Sequence, residues 1–223
     1  MSNRAISLIA TACALPGFAF AVAASAEDSA APVSASRTAQ QAPSDGINRL
    51  HEALYDVMRE AETLGYTGRF ERLKPVVDEV FDLDFMAEKS VGRHWKTASP
   101  EERTRLLEAF HRYTVANYAG RFTGWSGQEF TTHGEEASAR GTMLVRTTLH
   151  DPSDEDVQLD YRLRKTDNGW RIVDIYFNGT VSELALRRSE YSSLIKREGF
   201  EALLTALHER IEELESLPGE KAS

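Results

Sequence analysis

The chain has 223 residues, 41% of them hydrophobic and 27% charged, which suits one domain with an ordinary core and excludes low-complexity, collagen-like and disulfide-scaffold proteins. Its 26 Lys and Arg face 35 Asp and Glu, a formal net charge of −9, so the basic stripe that a dedicated nucleic-acid binder needs to displace counterions is missing. Cys13 is the one cysteine, which rules out an intramolecular disulfide, a cysteine-based zinc site and redox chemistry on paired sulfurs.

Residues 1–26 read as a secretory signal: Arg4, an apolar run from Ala5 to Ala24, and Ala24-Ser25-Ala26 as the cleavage site. Pro16 and Gly17 weaken the alternative of an uncleaved membrane anchor, and Ala10, three positions before Cys13, weakens that of a lipidated cysteine. Cleavage leaves an exported chain of 25 bases and 35 acids without cysteine, held by its core alone. Residues 27–43 are rich in Ala, Ser, Pro and Gln with no apolar period, the composition of a disordered leader. Residues 44–217 form a single domain, and 218–223 a tail.

Within that domain Ile47, Leu50, Leu54, Val57, Met58, Ala61 and Leu64 share one helical face, with Ser44 or Asp45 as N-cap and Gly65 as the stop. Phe70, Leu73, Val77, Val80 and Phe81 continue at helical spacing, with Pro75 tolerable at a kink or near a helix start. A turn at residues 82–84 leads into a helix through Phe85, Met86 and Val91, where Asp82 and Asp84 read as N-capping groups. Ser99-Pro100-Glu101-Glu102 is a capping box with Pro in the first helical position, and the helix it starts carries Leu106, Leu107, Phe110, Tyr113, Thr114, Tyr118 and Phe122. The apolar period then falls to two. Residues 130–133, 141–150, 157–165 and 170–177 read as four strands, the last three an antiparallel meander joined by polar turns. On the last strand, alternation sets Ile172, Asp174 and Tyr176 against Val173, Ile175 and Phe177. Helices from 183 to 194 and 200 to 217 complete an α+β domain, a four-stranded antiparallel sheet wrapped by amphipathic helices around an apolar cavity.

No motif of an activated nucleophile, nucleotide loop or metal site emerges. Gly124-Trp125-Ser126-Gly127 lacks the spacing of a nucleophile elbow. The six histidines include no i, i+4 pair, and each reads as a surface or lightly buried residue. The acidic loop of Asp151, Asp154, Glu155 and Asp156 reads as a solvated hairpin turn. No cofactor is implied.

Phe81-Asp82, Met86-Ala87, Gly92, Trp95, the run Ala98 to Arg103, Phe110, Tyr113 and Tyr118-Ala119 resemble the MlaC-like (toluene-tolerance) periplasmic proteins, auxiliary components of lipid-transporting ABC systems. Tyr161 to Arg164, Gly169 to Ile175 and Ile195 to Gly199 follow in the family's order, so the resemblance spans about residues 45 to 215. Where phospholipid carriers show Gly-Val-Ser-Leu and a Tyr-Arg pair, this chain runs from Asn178 through Arg187-Arg188 to Tyr191, which resembles the hopanoid-associated HpnM branch. The resemblance implies a periplasmic, non-enzymatic carrier of hopanoid or phospholipid between inner and outer membranes, with an inner-membrane lipid transporter and an outer-membrane acceptor as partners.

The expected cavity wall is Phe81, Phe85, Trp95, Phe110, Tyr113 and Tyr118 from the helices, with Met143, Val145, Tyr161, Leu163, Ile175 and Phe177 from the sheet. Arg187 and Arg188 are expected at a head group or a partner, beside the cavity mouth, and Phe200, Leu203, Leu204 and Leu207 either as a lid or as core. Two other classes compete. A pocket enzyme of isomerase or dehydratase type would need Asp174, Tyr161 or His150 in the cavity, and a scaffold of a membrane complex would show a large apolar patch.

Overall fold

The computed structural model describes residues 42–216, so the predicted signal segment, most of the leader and the tail lie outside the described residues. Helix α1 (Pro43–Arg59) starts at the last residue of the predicted leader. There the Asp45 carboxylate accepts the Ala42 backbone N–H at 2.8 Å, tying down the first turn. Its apolar stripe, Ile47, Leu50, Leu54, Val57 and Met58, is buried as the spacing requires.

Gly65 does break the helix, but not by ending it. Helix α2 (Ala61–Val80) runs on both sides of Gly65, whose φ of +58° and ψ of −173° only glycine adopts without strain. Such a break leaves carbonyl groups without helical partners. Arg69, 2% exposed, serves one of them, Nη1 donating to the Ala61 carbonyl at 3.1 Å, while its Nε donates to the Ala119 carbonyl of another helix at 2.9 Å. One buried guanidinium therefore closes the kink and fastens it to α5 (Pro100–Arg121). Between them lie α3 (Leu83–Val91), capped by Asp82 accepting the Phe85 N–H at 3.3 Å, and the single turn α4 (His94–Thr97). The box that begins α5 is complete, with Glu102 N–H to Ser99 Oγ at 3.1 Å and Ser99 N–H to Glu102 Oε2 at 2.7 Å.

Strands β1 (Glu129–Ala137), β2 (Met143–His150), β3 (Val157–Thr166), β4 (Gly169–Phe177) and β5 (Val181–Ser182) form one antiparallel sheet in chain order, one short strand more than expected. Helices α6 (Glu183–Glu198) and α7 (Phe200–Ser216) follow, separated at Gly199. Helices α1, α2 and α3 pack on the sheet, α5 packs against α2, α3 and α7, and the main core lies between helices and sheet. Residues Val145, Thr147, Leu149, Leu159, Tyr161 and Leu163 of β2 and β3 point into it and are buried. Phe200, Leu203, Leu204 and Leu207 of α7 are buried in the same core.

The β4 alternation is the expected one from Asp174 to Phe177, with Asp174 and Tyr176 opposite Ile175 and Phe177, but it fails at Ile172. Arg162 pairs with Asp174 but the next residue, Leu163, pairs with Ile172, so Val173 is an extra residue, a β-bulge. Ile172 and Ile175 consequently both face the core, while Asp174 faces the other way. Asp151 departs from expectation too: the predicted solvated turn holds it buried, bonded to Gln128 Nε2 at 3.1 Å and the Ser153 N–H at 2.9 Å.

Replacing Arg69 by Leu leaves two interior carbonyls unpaired and should cost about 3 kcal/mol of stability. Urea unfolding of the two proteins measures this; equal midpoints would mean that the kink is held by packing alone.

Candidate functional site

Between the helices and the core face of the sheet runs a file of aromatic rings. Phe81 lies 5.9 Å from Tyr118, Tyr118 lies 5.9 Å from Phe122, and Phe122 lies 6.4 Å from Phe130. Phe130 stacks on His51 at 3.9 Å, and His51 is 5.7 Å from Tyr161. Each ring is placed by its own element. Phe81 is anchored beside β4 because the adjacent Asp82 N–H donates to the Ile172 carbonyl at 2.9 Å. Tyr118 and Phe122 lie one turn apart at the end of α5, and Phe130 is fixed by its backbone N–H donating to the Tyr55 hydroxyl.

Of the predicted wall, Phe81, Phe110, Val145, Tyr161, Leu163 and Ile175 are buried. Tyr113, Tyr118, Met143 and Phe177 are half-buried. Phe85 and Trp95 are also half-buried, but cations cover them: Arg164 and Lys89 lie over Phe85 at 4.4 and 5.0 Å, and Arg103 over Trp95 at 5.3 Å. The adjacent arginines part company. Arg187 is buried, its guanidinium over Phe110 and Tyr113, whereas Arg188 is exposed and lies along Gly92, where an added Cβ would come within 2.8 Å of its Nε.

Burial shapes the electrostatics. It pushes the phenols of Tyr118 and Tyr161 well above their ordinary values, with Glu183 adding to the effect, and it raises Tyr191 to about 12 against the opposing charge of Arg187. Burial alone would lower Arg187, but Glu183 beside it, with Tyr191 and Tyr113, holds it above the usual arginine value. His51 is the histidine that sequence reading misplaced. It is 4% exposed, its Nε2 lies 3.2 Å from the Tyr161 hydroxyl, and burial lowers it to about 4. The available signal was position, since His51 stands between Ile47 and Leu54 on the stripe of α1.

The three residues considered for acid–base chemistry do not meet. Asp174 faces away from the core, accepting from Ser182 Oγ at 2.7 Å and from the Leu184 and Ile175 N–H groups at 3.1 and 2.9 Å. Burial raises its pKa, and these bonds partly offset the rise. His150 is exposed and paired with Asp156 at the hairpin, while Tyr161 is inside. Two clefts open elsewhere. A groove of about 620 Å³ runs between α2 and α5, lined by Tyr66, Phe70, Leu107 and Val115 with charged groups around them. A smaller one of about 180 Å³ lies between α5 and α7 beside Tyr113. Neither is lined by a strand residue or by Arg187 itself, although the smaller one shares Tyr113 with it.

A folded-state pKa of about 4 for His51, against about 6.5 when unfolded, stabilises the protein fully above pH 6.5. That stability is lost as the pH falls towards 4, by about 3 kcal/mol in all. His51→Gln keeps a hydrogen bond to Tyr161 without the titration, so its unfolding free energy should lack this slope. Comparing the two proteins by denaturant unfolding between pH 7 and 4 cancels the opposing contribution of Asp174. Parallel curves would contradict the assignment.

The model of the MlaC protein family matches residues 48–209, nearly all of the described chain. Among solved structures, a phospholipid-binding protein from Ralstonia solanacearum, in complex with a phospholipid, is similar with a TM-score of 0.64 at 24% identity, over 77% of this chain and 98% of that one. At that identity the likeness is one of fold, and it extends over helices and sheet together. The family match covers well over half of the sequence, and the chain belongs to the MlaC family.

Proposed function

We propose that this protein is a non-enzymatic periplasmic lipid carrier that holds lipid tails between the core face of its sheet and the helices. The observation that carries the reading is the family match over residues 48–209. The fold relative from Ralstonia solanacearum, which holds a phospholipid, supports it. The physical requirement agrees with the interior. A tail in water costs about 0.8 kcal/mol per methylene, so a carrier has to enclose tails almost completely. Rings that offer flat apolar faces at the ends of α5 and β1 suit that task, and Phe81, Phe110, Tyr113, Tyr118, Met143, Val145, Tyr161, Leu163, Ile175 and Phe177 are the proposed wall.

The cargo is hopanoid or phospholipid, the former favoured by the stretch from Asn178 to Tyr191 that departs from the phospholipid carriers. An inner-membrane lipid transporter and an outer-membrane acceptor are the proposed partners, with the segment at 1–26 as the export signal. Among the described residues no helix is long and apolar enough to cross a membrane.

Native mass spectrometry with lipid extraction, on protein purified from the periplasm of a hopanoid-producing host, tests the reading. A retained lipid is expected, and its mass separates hopanoid from phospholipid. A folded protein that emerges empty would contradict the carrier function and favour a scaffold.

A further inference from the structure

Arg187 is positioned by a chain of bonds that begins on the far side of the sheet. Asp174 holds Ser182 Oγ and the Leu184 N–H, and Ser182 Oγ in turn accepts the Ala185 N–H at 3.0 Å, which fixes the first turn of α6 against β4. One turn on, Arg187 lies between α6 and α5, its guanidinium 5.4 Å from the Phe110 ring and 5.1 Å from that of Tyr113, with 9% of the residue exposed. Nη2 donates to the Glu183 carboxylate. Nη1 is fully buried and, among the described residues, has no hydrogen-bond partner. A buried donor in that state is costly, and a ligand oxygen that accepted its N–H would remove the cost.

The pair is neutral as a whole; both members act on the phenol of Tyr118 in the ring file, and Glu183 also on that of Tyr161. A second anion brought to Nη1 would meet Glu183 across an interior that screens poorly. A neutral oxygen takes the N–H without that repulsion. We propose that Arg187 Nη1 donates a hydrogen bond to a neutral oxygen of the bound lipid, a hydroxyl or an ester carbonyl, inside the protein. Exposed Arg188 cannot take this role. The inference rests on the lipid-carrier reading and adds to it the chemistry by which cargo is selected.

Two matched probe pairs test it: a pentacyclic triterpene alcohol with its parent hydrocarbon, and a diester with a diether phosphatidylglycerol of equal chain length. Each is offered at equal mole fraction in vesicles of diether phosphatidylcholine, and the lipid retained by the protein is measured by mass spectrometry. The wild type should take up the oxygen-bearing member of one pair about tenfold over its partner, and the pair that discriminates identifies the source of the oxygen. In the double variant Glu183→Gln, Arg187→Met, which leaves no unpaired charge, the ratio should fall to about one while uptake of the partner lipid persists. An unchanged ratio, or a wild type that loads without discrimination, overturns the assignment and leaves the carrier reading intact. Failure to load any probe overturns both. Glu183→Gln alone keeps the guanidinium and removes its compensating charge, so uptake of hexadecanoate relative to hexadecanol should rise about tenfold over the wild type; no rise would also overturn the assignment.

Discussion

Val173 is one residue more than the β3 ladder can pair, and the groups on either side of it turn in opposite directions as a result. Ile172 is brought onto the core face, and its carbonyl receives the Asp82 N–H, which seats Phe81 against the sheet and sets the start of α3. Asp174 is sent to the other face, where its carboxylate gathers Ser182 and the first turn of α6. The bulge therefore places both ends of the proposed site: Phe81 at the head of the ring file, and Arg187 one helical turn beyond the Asp174 anchor. A regular strand would orient only one of these correctly, because its faces alternate without exception.

Much of this fold was legible because local chemistry and tertiary need agree. Ser99 and Asp82 cap the helices that the sequence predicts, the four principal strands lie where the period changes to two, and α6 and α7 divide at Gly199. The bulge was not legible for a plain reason. Ile172, Val173 and Ile175 are all apolar, so both registers bury suitable residues and only the β3 partners decide between them. Gly65 signalled a break but not the helix beyond it, since resumption depends on Arg69 reaching Ala119, fifty residues away in sequence.

The site was read less evenly. Apolar spacing identified residues that face the interior, but could not distinguish rings inside from rings covered by Arg164 or Arg103 at the margin. Arg187 and Arg188 are neighbours with identical chemistry. Their separation, one buried and one exposed, follows from a helix rotation fixed by β4. The interior is also more polar than composition suggests. His51 with Tyr161, and Arg187 with Glu183, are pairs that remain neutral as units, the form in which polar groups tolerate burial. In the proposed carrier, such groups would give an apolar interior the means to distinguish one lipid from another, which packing of methylenes alone does poorly.

In the proposed carrier, lipid tails lie along the ring file between helices and sheet, and not in the groove between α2 and α5. The most direct measurement is photocrosslinking with a lipid that carries a diazirine in its tail, loaded into the folded protein and mapped by peptide mass spectrometry. Labels are expected on peptides that contain Tyr118, Tyr161 and Phe177. Labels confined to peptides around Tyr66, Phe70 and Leu107, which line the groove, would contradict it.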